Sequence, residues 1–324
     1  MKKTSVVAVL ASQGVLIALA LLILFGWLRY DNFLGLFNIS TVLRYNSMFA
    51  LVALGMCFVI MTGGIDLSVG STAALGSVVS ALLSPYGMLA GTLGGVLAGL
   101  AVGLLNGFVI VRLRVLPFIA TLAAMLAANG TALLLANDES VSVSYDSGFT
   151  DLGQGDILNL PIPALIAGAL YVVGSIVLNF TSTGRTVLAI GGNEDASRLM
   201  GLPVDRIKFL VYVVSGGLAG LAGVILASQF GAGQPIEGVG WELFAIASVV
   251  VGGTLLTGGL GSVGATLAGV MLLGLIFNVL NFENGRGFIS LSAYWQSVIR
   301  GVFLLIVVIL QSQLMGRAER SEAR

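Results

Sequence analysis

Apolar runs of about 20 residues follow one another along this chain, separated by short polar breaks, and each is long enough to cross the ~30 Å hydrocarbon core of a bilayer as a helix. Ten such runs centre near Leu21, Ala53, Ser77, Leu100, Ala127, Tyr171, Gly220, Val250, Leu272 and Ile306. Strand-type alternation is absent, which argues against a membrane barrel. The pattern predicts an all-α membrane protein of about ten transmembrane helices, read as one transmembrane domain over residues 1–324. Eight spans with two re-entrant segments is the alternative that the same pattern allows.

Two stretches are too glycine-rich to be plain helix. They are Thr62-Gly63-Gly64-Ile65-Asp66-Leu67-Ser68-Val69-Gly70-Ser71 and residues 252–262, which contain Gly252, Gly253, Gly258, Gly259 and Gly261. Non-helical backbone survives at membrane depth only where protein or a water-filled cavity satisfies it, so both read as broken helices beside a pathway. Elsewhere glycines sit inside apolar runs, as at Gly94, Gly95, Gly99 and Gly103, where small-xxx-small spacing predicts close helix contacts.

Composition sharpens this picture. Only 9% of the 324 residues are charged, against roughly 25% in soluble domains, so a water-covered fold is excluded. The formal charge balance is zero and no basic block stands apart, which argues against nucleic acid as a partner. Histidine is missing, which removes Ser-His-Asp catalysis and histidine metal sites. Lysine occurs only at Lys2, Lys3 and Lys208, so no Gly-Lys-Ser/Thr phosphate loop exists here. The chain is read as non-enzymatic, with no cofactor or metal. Cys57, the one cysteine, reads as a small buried residue. Lys2 and Lys3 precede an apolar run to Leu28 with no small-residue cleavage site, so an uncleaved first helix is expected.

With ten spans and cytoplasmic termini, Lys2, Lys3, Arg112, Arg114, Arg185, Arg198, Arg206, Lys208, Arg317, Arg320 and Arg324 lie inside, eleven of the fifteen basic residues. Arg29, Arg44, Arg286 and Arg300 fall on the other side with most acids from Asp138 to Asp156. The positive-inside rule then selects N-in and C-in.

Among candidate functional residues, Asp66 is the acid most deeply flanked by apolar sequence, a functional hypothesis by default. It follows two glycines and precedes Leu67-Ser68, which suits a helix start where a carboxylate accepts backbone N–H bonds. Two readings stand open: Asp66 caps a broken helix, or it faces the pathway. Asn106, Asn129, Asn278 and Gln296 are polar within apolar spans, where such side chains either tie helices together or bond a polyol. In the cytoplasmic segment 181–208, Asn193 is a good N-cap, Glu194 and Asp195 favour a first turn, and Gly201 before Leu202-Pro203 is a good stop. A short helix is expected, whose Leu199 and Met200 either meet a partner surface or lie among lipid headgroups. The outer loop, 137–160, reads as a solvated connection or, alternatively, a docking face.

Met61 to Ser71 carries the most specific of four ordered motifs. The others are Pro117-Phe118-Ile119-Ala120-Thr121-Leu122, Ala189 through Gly201, and Glu242-Leu243-Phe244-Ala245-Ile246-Ala247 followed by Gly252-Gly253-Thr254 and Gly258-Gly259. Together they resemble the ribose-type permeases of ABC sugar importers over nearly the whole length. The resemblance implies transport of a sugar across the bacterial inner membrane by a pair of permease subunits, identical or paralogous, embedded in membrane lipid. It also implies cytoplasmic ABC ATPase domains and a periplasmic sugar-binding protein. The intramembrane acid, the polar positions within the spans and these motifs together give Asp66, Ser68, Asn106, Asn129, Glu242, Phe244 and Asn278 as candidates for the pathway. By the same likeness, Asn193, Glu194, Asp195, Arg198, Leu199, Met200 and Gly201 resemble the helix that couples to the ATPase. Two positions depart from the family pattern: Asn129 stands where an arginine is common, and Phe244 where an aspartate is common. An ion-coupled secondary transporter with Asp66 as the titrating group, and a passive channel, are the competing readings.

Overall fold

The computed structural model describes residues 6–285 and, beyond them, positions 295, 298, 299, 301, 302 and 305. Its helices run α1 Val6–Arg29, α2 Leu36–Met61, α3 Val69–Leu83 with a 3₁₀ turn Ser84–Tyr86, α4 Met88–Arg112 and α5 Pro117–Ala136. A two-residue strand β1 Val141–Ser142, a turn of helix α6 Asp151–Gln154, and strands β2 Asp156–Ile157 and β3 Leu160–Pro161 follow. Next come α7 Ile162–Phe180, α8 Ser182–Gly192, α9 Glu194–Leu199, α10 Val204–Phe230, β4 Ala232–Gly233, α11 Trp241–Val251 and α12 Val263–Gly285. Among the described residues, seven helices are long and apolar enough to cross a membrane.

Seven of the ten predicted centres, Ala53, Ser77, Leu100, Ala127, Tyr171, Gly220 and Leu272, fall within those seven helices. Leu21 lies in α1, and the predicted span around Ile306, with Gln296 and Arg300, lies outside the described residues. The centre near Val250 needs correction. Val250 is the penultimate residue of α11, whose 11 residues rise only about 16 Å, half a bilayer core. Hydropathy alone joined this short helix to its apolar but non-helical flanks.

The chain divides into two compact units, residues 34–270 and residues 1–33 with 271–324. In the latter, Tyr30 donates a 2.7 Å bond to Glu283, and its ring lies 5.0 Å from that of Phe282, which fastens the end of α1 to the end of α12.

In the larger unit, α4 and α10 form an antiparallel seam. Gly95, Gly99, Gly103 and Gly107 recur every fourth residue on one buried face of α4 and meet Gly216, Gly220 and the backbone of Tyr212 and Val213 on α10. A Cβ at Gly99 would stand 2.7 Å from the Gly220 Cα, so only glycine lets the backbones come this near. With lipid as apolar as leucine, such van der Waals contact is what associates helices. Because the seam is antiparallel, Arg112 at the end of α4 and Arg206 and Lys208 near the start of α10 lie toward the same end of it.

The loop 137–160 is more than a solvated connection. Phe149 is fully buried, its carbonyl accepts a 2.7 Å bond from the Ser228 hydroxyl, and Gly153 donates to the same hydroxyl oxygen at 2.6 Å. Val141–Ser142 pairs antiparallel with Ala232–Gly233, closing the loop over the end of α10.

Candidate functional site

Both glycine-rich segments are breaks, and both end their helices in the same manner. After α2, Gly63 takes φ +76° and Gly64 donates to the Val59 carbonyl at 3.1 Å; after α11, Gly253 takes φ +85° and Thr254 donates to Val249 at 3.2 Å. This is the glycine-dependent closure that satisfies the last carbonyls of a helix. The two breaks also touch each other, since Gly259 donates to the Met61 carbonyl at 3.0 Å. Gly191, near the end of α8, abuts the same Met61 carbonyl and the Gly259 nitrogen, so α8 is seated against both breaks.

Asp66 lies in the first break and is 1% exposed. Its Oδ1 accepts from the Ser68 backbone at 3.0 Å and from the Ser68 hydroxyl at 2.6 Å; its Oδ2 accepts from the Ser215 hydroxyl on α10 at 3.0 Å. Asn106 on α4 donates to the Ser68 hydroxyl oxygen at 2.9 Å. The Thr121 hydroxyl on α5 accepts from Leu67 at 3.1 Å, and the Tyr212 hydroxyl on α10 donates to the Ile65 carbonyl at 3.4 Å. Six side chains, all buried, thus tie the start of α3 to α4, α5 and α10. A carboxylate with both oxygens occupied in this way makes the strong, charge-assisted kind of hydrogen bond.

Of the sequence candidates, Asp66, Ser68 and Asn106 come together in this network, and the first two carry the expected helix-start bond. Ser215, Tyr212 and Thr121 were missed; a hydroxyl in an apolar run carries little signal until its partner is known. Glu242 and Phe244 are elsewhere, in the first turn of α11. Glu242 is half-buried beside Gly70, where a Cβ would lie 3.0 Å from its Oε2. Phe244 stacks on Phe49 with ring centroids 4.5 Å apart, next to Trp241 at 4.8 Å from the same ring, and so anchors α11 on α2. Asn129 is half-buried on α5, about 12 Å along the axis from Thr121. Asn278 belongs to the smaller unit, half-buried on the second half of α12.

The segment 193–201 forms the short helix α9, Glu194–Leu199. Asn193 caps it by accepting from Ala196 at 2.8 Å, and Gly201, at φ +75°, lets Leu202 donate to Ser197 at 3.1 Å. Arg198 bonds Glu194 at 2.9 Å and Asp205 at 2.5 Å, and Lys208 bonds Glu194 at 2.9 Å. Partial burial raises the Glu194 pKa, but the bonds and charges of Lys208 and Arg198 outweigh it and hold the carboxyl below its ordinary value. Asp205 and Glu194 in turn raise that of Arg198. With its polar groups so engaged, α9 presents Leu199, 89% exposed, and Met200 to the surroundings.

The family described as the branched-chain amino acid transport system / permease component matches residues 38–308. The ribose import permease protein of Bacillus subtilis is 40% identical over 93% of both chains, and that of Haemophilus influenzae 36% over 94% of both. The L-arabinose transport system permease protein of Escherichia coli is 38% identical, covering 91% of this chain and 89% of its own. No solved structure matches significantly. With a family match across most of its length, relatives well above 30% identity, and helices able to span a bilayer, this chain belongs to the permease components of binding-protein-dependent ABC importers.

Proposed function

We propose that the chain is the membrane permease subunit of an ATP-driven importer carrying a monosaccharide, of pentose size, across the bacterial inner membrane. The observation that carries this is the near end-to-end relationship to ribose and L-arabinose permeases. ATP hydrolysis then falls to a separate cytoplasmic ATPase chain, a reading supported by the lack of a phosphate-binding loop in this one, and a periplasmic binding protein delivers the sugar. Two permease subunits, two copies or a paralogous pair, enclose the path. Both termini face the cytoplasm, a reading supported by the basic residues collected where α4 ends and α10 begins.

In this account α9 docks into the ATPase through Leu199 and Met200, with Asn193, Glu194, Asp195, Arg198 and Gly201 holding its shape. Movement passes through α8, whose Gly191 rests on both helix breaks. Asp66, Ser68 and Asn106 keep the first break rigid, while Glu242 and its neighbours border the path. Buried and fully bonded, Asp66 is better suited to holding a joint than to exchanging protons with solvent.

The test is uptake of labelled ribose and L-arabinose in vesicles bearing this chain with its ATPase and binding protein. One of the two should accumulate with ATP and be displaced by the unlabelled pentose. Displacement by leucine instead of a pentose would contradict the sugar reading and leave the family membership intact.

A further inference from the structure

A third break carries no glycine-rich signature as strong as the other two. Between the end of α10 and the start of α11 the backbone is non-helical, with Gly231, Gly238 and Gly240 at φ +71°, +94° and +84°. Ser77 on α3 bonds Gln234, donating to its carbonyl at 3.3 Å and accepting from its nitrogen at 3.0 Å. Four residues on, the Gly238 carbonyl abuts Gly70. The segment therefore runs antiparallel along α3 over about 10 Å, and Gly70 lies about 24 Å from the end of the 3₁₀ turn at Tyr86. Trp241 then meets Phe49, the middle of α2. The stretch thus leaves the outer loop, where Ala232–Gly233 pairs with Val141–Ser142, and descends along α3 to the level of Gly70.

Along it Ile236 is 66% exposed, Val239 is 79% exposed, and Glu237 between them is exposed as well. Irregular backbone does not face lipid within the hydrocarbon region; it lies against protein or lines water. An open carboxylate at the same depth points to water. We propose that Ile236, Glu237 and Val239 form one wall of the water-filled translocation path, continuous with Glu242 and Leu243 in the first turn of α11. No lysine or arginine occurs between residues 209 and 285, so this wall admits neutral hydroxylated solutes and disfavours anions. The proposal deepens the importer reading and rests on a solute crossing here.

The experiment uses full-length permease with its partners, Cys57 replaced by alanine, and single cysteines at positions 236, 239, 126 and 172. Leu126 and Val172 are exposed on regular helices at mid-span and serve as lipid-facing comparators. A thiol in hydrocarbon does not ionise, so charged methanethiosulfonates modify only cysteines that meet water. Ile236→Cys and Val239→Cys should react at least tenfold faster than Leu126→Cys and Val172→Cys. The cationic reagent should be favoured over the anionic one, and Glu237→Gln should reduce that preference severalfold. Equal inertness at all four positions, equal reactivity at all four, or spontaneous disulfides between two copies through 236 or 239 would each overturn the wall. Reactive 236 and 239 without ATP-driven pentose uptake would keep the wall and remove the importer reading.

Discussion

The breaks at 62–68 and 231–240 both separate helices of the larger unit with glycines at positive φ, yet they are finished in opposite ways. In the first, Asp66, Ser68, Asn106, Ser215, Tyr212 and Thr121 enclose the backbone, and none of these side chains is open. In the second, Ser77 holds one end at Gln234 while Ile236, Glu237 and Val239 are left open. On the reading proposed above, the closed break transmits movement and the open one meets solute. Polar residues at membrane depth therefore divide into joint and lining by whether their bonds are satisfied within the chain.

Gly70, in the first turn of the helix that follows the first break, is where α3 meets the second break, so its substitution has the largest expected effect. A Cβ there would stand 3.1 Å from the Gly238 carbonyl carbon and nearer still to its oxygen. Gly70→Leu should cost at least about 3 kcal/mol, the upper range for overpacking, and abolish uptake with much less protein in the membrane. Val239→Leu, on the open side, should leave membrane levels unchanged. Equal tolerance at the two positions, read by membrane immunoblot and uptake, would erase the distinction.

Leu199→Asp tests whether the closed joint is driven from the cytoplasmic loop. The variant should reach the membrane at normal levels, lose most transport and fail to retain the ATPase through detergent purification. Normal transport would place the coupling elsewhere.

The smallest expected effect concerns the anchor between α9 and α10. Because Glu194 has its folded pKa lowered, its contribution is present above the ordinary value of 4.5 and disappears as pH falls through the depressed folded value. Partly exposed and screened, this network should contribute about 0.2–1 kcal/mol. Hydrogen exchange in residues 193–201 should stay protected from pH 7 down to the carboxylate range and rise below it, and Glu194→Gln should lose that acid step. An unchanged step in the variant would assign it to another group.

Much of the joint was readable from sequence because its signals are local. Gly63-Gly64 before Asp66-Leu67-Ser68 encodes a helix stop and a helix start within seven residues, and glycines every fourth position on α4 encode a face. Asn193 and Gly201 likewise bound α9 by cap chemistry alone. Ser215 was not readable, since a serine among the glycines of α10 becomes a ligand of Asp66 only when α10 packs on α3. The 231–240 break is unreadable for the same reason: Gly, Gln, Pro and Glu compose an ordinary loop, and only the register with Ser77 and Gly70 lays it along α3. Phe244 is a lining candidate through its place in the family motif, and its stacking on Phe49 is a tertiary fact that the motif does not carry.

The central claim, an ATP-driven permease in which Asp66 braces a joint, is tested most directly by Asp66→Asn. The amide keeps the size of the side chain but weakens bonds of the kind worth about 1.5–3 kcal/mol to a charged group. Accumulation and counterflow of labelled pentose are measured in vesicles with ATP, with and without a protonophore. The account predicts that accumulation and counterflow fall together, and that what remains still requires ATP and ignores the protonophore. Preserved counterflow with accumulation lost, in a protein whose wild-type accumulation the protonophore abolishes, would contradict it and make Asp66 the titrating group of an ion-coupled carrier.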